Sequence, residues 1–354
     1  HLNPENDYLQ NSNYEFDELV SGNTYAFDAN KTAKVNFTYT LPATKTNAIL
    51  KWGAKVRLKE KRYDITENVY GWEGGDVTFT GFDAGDYTLD KFEGGPSGKF
   101  LDGKYLIRPN ADVQKVIDHF NTNKNGYQLD TEEKQATEAV EAFNATEDVY
   151  AAYAMGKWQF KKLMLLGGFR FERTSVSYTS NQVFFDFEGD LDEVVPVAGG
   201  TDYNFLLPQV HMKYSVSSDL NIRAAVTRTY ARPNFQDIIP SQEIDLNSRE
   251  GTIGNAALKP VGATNIDVLV EKYFGTVGIL SGGVFVKQLN DFIFNQRFSA
   301  TSYEGRNFGT NVLLTQARNG ESANLLGFEI AYQQNLSFLP GALSGLAVYA
   351  NYTY

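Results

Sequence analysis

Residues 50–59 read Leu50-Lys51-Trp52-Gly53-Ala54-Lys55-Val56-Arg57-Leu58-Lys59. Side chains alternate along a β-strand, so the apolar residues of this stretch share one face and the basic residues share the other. The stretch is longer than the five or six residues or so of an average soluble strand, and its apolar face suits lipid. Crossing a bilayer takes about nine to eleven tilted residues, and only a closed barrel satisfies every backbone group there. The stretch therefore predicts a strand of an outer-membrane β-barrel.

The same alternation recurs along the chain and predicts about ten long strands, joined alternately by short turns and long polar loops. The predicted strands cover residues 34–41, 50–59, 149–155, 162–178, 207–216, 220–229, 265–273, 279–292, 326–336 and 346–354. The predicted fold class is thus all-β, an antiparallel transmembrane β-barrel. Short turns would face the periplasm, and long loops would face outward.

The longest predicted extracellular loop covers residues 64–147, and residues 1–31 are predicted to be another. Within the loop at 64–147, residues 111–120 and 132–143 have helical spacing after acidic starts, which predicts short loop helices. Further outward loops are expected at 180–202, 233–261 and 295–322.

Composition excludes several classes. Of the 354 residues 42% are hydrophobic, yet no run approaches the roughly 18 apolar residues of a membrane-spanning helix. Cysteine is absent, which excludes disulfides and thiolate chemistry. The net charge of −11 argues against a nucleic-acid partner, which needs clustered exposed Lys and Arg.

The two ends predict a segment of a longer protein. The chain starts with polar residues, His1-Leu2-Asn3-Pro4, and lacks a charged-then-apolar leader. Its last residues, 346–354, stop within a strand pattern.

Several motifs carry a family resemblance. They are Tyr150-Ala151-Ala152-Tyr153, Gly167-Gly168-Phe169-Arg170-Phe171-Glu172-Arg173-Thr174, Asn221-Ile222-Arg223-Ala224-Ala225-Val226-Thr227-Arg228-Thr229-Tyr230-Ala231-Arg232-Pro233-Asn234-Phe235 and Gly254-Asn255-Ala256-Ala257-Leu258-Lys259-Pro260, with similar runs at 265–273 and 283–293. In this order they resemble the barrel domain of TonB-dependent outer-membrane receptors, over most of the chain.

The resemblance implies a 22-stranded barrel around an N-terminal plug, driven through TonB by the proton-motive force. The chain departs from the family pattern because it has no plug, no TonB-contacting segment and no terminal strands. The implied partners are TonB through the plug region, a nutrient ligand, outer-membrane lipid and a surface lipoprotein.

Basic residues on the polar strand faces are the first candidates for ligand binding. They are Lys51, Lys55, Arg57, Lys59 and Lys61 on one strand, and Arg170 and Arg223 on others. Such a wall would guide an anionic ligand or line a polar track for sugars. The alternative, which we favour, is that these charges pair with nearby carboxylates, as buried barrel charges normally do.

Aromatic loop residues are the second candidates, since Trp72, Tyr105 and Tyr303 could stack on a sugar or a catecholate. We favour the alternative of interfacial anchors or loop packing. The acidic run Asp186 to Glu193 could order a loop around calcium, but a solvated loop is the simpler interpretation. We predict no metal site and no cofactor, because His1, His119 and His211 lack metal-ligand spacing.

The function predicted from the sequence is TonB-driven uptake of a scarce nutrient, an iron chelate or an oligosaccharide, across the outer membrane. The alternative is a non-transporting surface barrel that acts as adhesin or scaffold. No Gly-x-Ser-x-Gly elbow and no phosphate-binding loop occurs, so we predict that the protein is not an enzyme.

Overall fold

The structure, a computed structural model, describes residues 11–14, 18–42, 47–71, 88–94, 98–100, 105–107, 110–124, 127–239, 242–274 and 278–354. The chain forms two compact units. The smaller consists of His1–Tyr25 with Asp64–Glu141, and the larger of Ala26–Tyr63 with Ala142–Tyr354.

The described residues are mostly strand. The strands are β1 (Glu18–Thr40), β2 (Asn47–Gly71), β3 (Gly98–Phe100), β4 (Tyr105–Ile107), β5 (Gln128–Asp130), β6 (Phe143–Phe160), β7 (Leu163–Phe185), β8 (Leu191–Ser215), β9 (Leu220–Ala231), β10 (Gln242–Asp245), β11 (Glu250–Ile253), β12 (Val261–Tyr273), β13 (Gly278–Asn290), β14 (Ile293–Tyr303), β15 (Arg306–Asn319), β16 (Ser322–Asn335) and β17 (Ala347–Thr353). The helices are α1 (Val113–Thr122), α2 (Thr131–Glu141) and α3 (Phe235–Ile238). No helix within the described ranges is long and apolar enough to cross a membrane.

The larger unit is built on antiparallel pairing between sequence neighbours, as predicted. Its sheet runs β1-β2-β6-β7-β8-β9-β12-β13-β16-β17, which confirms all ten predicted strands and the all-β class. The count of 22 strands for a complete barrel stays a prediction.

Several strands extend beyond the predicted limits. β1 begins at Glu18 rather than residue 34, β6 at Phe143 rather than 149, and β8 at Leu191 rather than 207. Residues 64–71 and 143–147, at the two ends of the predicted long loop with its short helices, are therefore strand. The ladder continues there because backbone pairing needs no apolar face, whereas the prediction stopped where apolar residues stopped.

One face of this sheet is apolar and exposed. Val210, Val226, Ile266, Val286 and Leu326 are register partners across five strands, and each is at least 40% exposed. Exposed Trp52 and Phe169 continue this surface on β2 and β7. We call this surface the apolar belt.

Toward the outer ends of several strands, the apolar belt gives way to polar residues. Along the same face of β7, Phe169 and Phe171 are followed by Arg173, Ser177 and Thr179. Farther along the sheet, partners Thr264, Gln288 and Asn324 lie just beyond Ile266, Val286 and Leu326. A switch from apolar to polar residues along a strand is what the outer edge of a bilayer requires.

Two of the predicted outward loops contain elements that the sequence did not predict. The loop after β9 contains α3, β10 and β11, and the predicted loop 295–322 is the hairpin of β14 and β15. β10 pairs in parallel with β7, and β11 pairs in parallel with β15, so these segments join one sheet. A buried cluster packs on it, comprising Phe184, Ile244, Ile253, Phe308, Val312 and Leu314. We call β10, β11, β14, β15 and the ends of β7 and β8 the loop body.

The smaller unit contains the two predicted helices, at nearly the predicted positions. Asp112 caps α1 by accepting from the amides of Gln114 and Lys115, and Asp130 caps α2 in the same way. Tyr70, Phe120 and Tyr127 pack ring against ring beside α1. The two helices predicted within residues 64–147 are thus present in the structure.

Candidate functional site

The basic residues of β2 lie on the face opposite the apolar belt, as their alternation predicts. Arg57 forms an ion pair with Glu147 on β6, and the ammonium of Lys59 lies 3.0 Å from Asp28 on β1. Lys51 and Lys55 form no ion pair with any residue that the structure describes. The basic column therefore divides into a paired outer part and a lower part with free ammonium groups.

The two arginines predicted on other strands are also paired. Arg170 bonds Glu172 on its own strand, and the Nε of Arg223 donates to Glu271 at 2.9 Å. Paired charge, the favoured alternative at the sequence level, thus describes four of the seven basic residues of the predicted wall. Their pairing lowers the cost of holding charge on a partly buried surface.

Arg232, which belongs to one of the family motifs but is not among the candidate binding residues, lies at the centre of this network. Its Nε lies 3.2 Å from Oε2 of Glu147, and its Nη2 lies 3.3 Å from Oε2 of Glu172. Its guanidinium also stacks 4.9 Å over the ring of Tyr230, whose hydroxyl donates to Glu172. A planar guanidinium can serve two carboxylates and a ring together. The Arg-Pro pair at the strand end was the available signal, but its partners are distant in sequence.

Below this network the polar face holds an open cavity of about 490 Å³ between β6, β7, β8, β9 and β12. Its lining combines thioethers with polar groups: Met155, Met164, Gln209, His211, Lys213 and Arg223. Of the predicted site residues, only Arg223 is part of it. In this lining, Nε2 of His211 lies 3.4 Å from Oε1 of Gln209 on the same strand.

The predicted aromatic residues do not form one site in the described part of the chain. Trp72 lies outside the described residues, and so does the side chain of Tyr105, whose backbone belongs to β4. Tyr303 ends β14, where its hydroxyl accepts from Nε2 of Gln316 at 3.0 Å and its ring packs against the loop body. Burial there raises the pKa of the Tyr303 phenol. Its use as a stacking platform stays a prediction.

The acidic run between β7 and β8 is used in turn formation and ion pairing. Asp186 accepts from the amides of Glu188, Gly189 and Asp190, and Arg306 pairs with Asp192 and Glu193. Within the described residues no group of three or more metal-ligating His, Asp or Glu side chains occurs.

Comparison with known proteins places the chain in a family. The model for "TonB dependent receptor-like, beta-barrel" matches residues 2–354. No curated protein sequence matches the chain. Among solved structures, the similarity to the unliganded ferric citrate transporter FecA extends over 96% of this chain and 37% of the FecA chain, at 10% identity and a TM-score of 0.53. The similarity to the ferric-catecholate import receptor Fiu of E. coli K12 extends over 88% of this chain and 36% of the Fiu chain, at 12% identity and a TM-score of 0.49.

The chain thus spans little more than a third of the length of these two proteins. The likeness to FecA supports the fold, whereas the match of the family model extends over nearly every residue. The two-faced strands, the apolar belt and the short turns agree with that match. The chain belongs to the TonB-dependent receptor β-barrel family.

Proposed function

We propose that the chain forms part of a TonB-driven importer, which takes up a scarce nutrient, an iron chelate or an oligosaccharide, across the outer membrane. The family consists of outer-membrane receptors and transporters for nutrient ligands. The observation that carries the proposal is the division of the sheet into an apolar belt and a polar face with a cavity. A sheet of this kind separates lipid from a polar interior.

Within this proposal Lys51 and Lys55 contact the ligand. Their ammonium groups form no ion pair with described residues and contact no ring, unlike Lys61 at the outer end of the column, and both lie below the paired network of Arg57 and Arg232. Unpaired cations on a polar wall attract anionic groups more strongly than paired ones. TonB, contacting the plug region of the whole protein, would supply the energy, and a surface lipoprotein would be an additional partner.

Growth tests the proposal directly. Native cells with and without the full-length gene are supplied with single iron chelates or glycans as the limiting nutrient. Loss of growth on one class identifies import and its cargo. Unchanged growth on every member contradicts import and favours the adhesin or scaffold.

A double variant, Lys51→Gln with Lys55→Gln, tests the role of the two lysines. We expect weaker uptake of an anionic chelate and unchanged uptake of a neutral glycan, because only the anion gains from the two charges. Lys259→Gln is the matched control, since its side chain is 71% exposed on a loop. Equal uptake by the double variant and the control would show that the two lysines are not part of the binding site.

A further inference from the structure

The segment that follows β9 turns back across the polar face of the sheet. Arg232 reaches Glu147 on β6 and Glu172 on β7. Three residues later, the ring of Phe235 lies under the ammonium groups of Lys59 and Lys61 on β2, at 5.7 and 5.9 Å. β8, β7 and β6 separate β9 from β2 in the sheet, so the segment crosses all three. We call residues 232–239 the strap.

The strap buries the surface that it crosses. Ile238 and Ile239 are 4% and 2% exposed and belong to one cluster with Phe143, Ala145, Val176 and Tyr178. The first two of these partners lie on β6 and the other two on β7, all on the face that carries Glu147.

The opposite faces of the same strands remain open. Thr146 and Ser177, which follow buried Ala145 and Val176, are exposed and share a hydrogen bond of 2.7 Å between their hydroxyls. The strands are therefore covered from one side, and the strap supplies that cover together with Leu258 and Ala317 of the same cluster. By contrast Lys51, lower on β2, is exposed.

The geometry points to a positioning role for Arg232: we propose that it fixes the strap as a permanent inner wall over the outer part of β6 and β7. The wall closes that sector to ligand and leaves the lower face, with Lys51, Lys55 and the cavity, as the open surface. Two carboxylates from two strands hold one guanidinium, which fixes the direction in which the chain leaves β9. With this direction fixed, Ile238 and Ile239 reach their apolar contacts on β6 and β7.

Thiol labelling tests this proposal, because the natural chain has no cysteine. Ala145→Cys and Thr146→Cys are made separately in the full-length receptor and treated in detergent with a charged maleimide. We expect rapid labelling at position 146 and protection at position 145. Rapid labelling at both positions would overturn the proposal.

The role of Arg232 is read in the Ala145→Cys background. Arg232→Gln should speed labelling at least about tenfold, the smallest change expected when charge-assisted bonds at a buried carboxylate are lost. Arg232→Lys should restore part of the protection, since an ammonium keeps one ion pair but loses the fork. Arg173→Gln is the matched control, because Arg173 pairs with Asp202 on the opposite, exposed face.

Protection that persists in Arg232→Gln would overturn the positioning role. Folding of that variant is judged by its electrophoretic mobility without heating. If it does not fold, Arg232→Lys takes its place, and a labelling rate at position 145 equal to that of the Arg173→Gln control would overturn the positioning role. The labelling requires neither ligand nor TonB. Its failure would therefore leave the proposed import standing, and a failure of import would leave the strap result standing.

Discussion

Glu133 shows how one residue of the smaller unit responds to its surroundings. It lies in the first turn of α2, and burial raises its pKa, with further contributions from the nearby carboxylates of Glu18, Asp130 and Glu67. A carboxyl with a raised folded-state pKa supports folding while it is protonated, and that support is lost as pH rises through the shifted pKa. The charge of Glu133 at neutral pH therefore works against the local fold.

We expect Glu133→Gln to slow amide hydrogen exchange in α2 at neutral pH by a few-fold, and to have little effect at a pH below the ordinary carboxyl range. The exchange is measured on the whole protein. Glu132→Gln is the matched control, because Glu132 is the neighbouring acidic residue in the same first turn of α2. Faster exchange in Glu133→Gln at neutral pH would show that its charge stabilises the helix start instead.

Among the elements, the four-residue strands β10 and β11 depend on a close approach of β11 to its neighbours β10 and β15. Gly251 lies in register between Ile244 and Leu314. A Cβ there would lie 2.9 Å from Cδ2 of Leu314 and 3.0 Å from the carbonyl oxygen of Glu243. The backbone oxygen cannot move without breaking the ladder, so the position requires glycine.

We expect Gly251→Ala to destabilise the loop body by about 1–3 kcal/mol, the usual cost of overpacking a filled site. Amide exchange in β10, β11 and β15 would report the loss. Gly262→Ala is the control, because a Cβ added at that position on β12 would have no atom within 4 Å of it. Equal effects of the two substitutions would contradict the packing argument.

The sequence predicts the ten strands that pair with their neighbours along the chain, and it misses β10 and β11 for the same physical reason. The longer β14 and β15 lie in a stretch predicted to be a loop. Alternation in a stretch such as Leu50–Lys59 is a local signal, visible without knowing the partner strand. β10 and β11 consist of four residues each, and their order comes from parallel partners far away in the chain. The basic wall was predictable by residue type, but the partner of Arg57 is 90 residues away, and the burial of Ile238 needs the strap to fold back.

At the scale of the whole molecule, the apolar belt predicts that the cost of an added charge depends on its depth in the bilayer. Val284 is 54% exposed within the belt, and Gln288 lies on the same face of β13 beyond its edge. Val284→Arg should cost about 2–4 kcal/mol of folding stability in lipid, whereas Gln288→Arg should cost about 0–1 kcal/mol, because a charge near the interface reaches water. Reversible unfolding of the full-length protein in vesicles measures both.

The two variants share charge, strand and face, so a difference between them isolates depth. Equal costs would contradict a membrane edge between the two positions. A larger cost at Gln288 would place that edge on the wrong side of the belt.

The parallel pairs that join β10 to β7 and β11 to β15 also limit how such receptors can be rebuilt. An independent loop can be exchanged for another, as in the grafting of an antibody loop. Here the connection after β9 supplies the middle strands of a sheet whose outer strands come from the connections before and after it. Replacing one connection alone would leave unpaired backbone and an open apolar cluster on the other two. New recognition would have to be transplanted as a set of three.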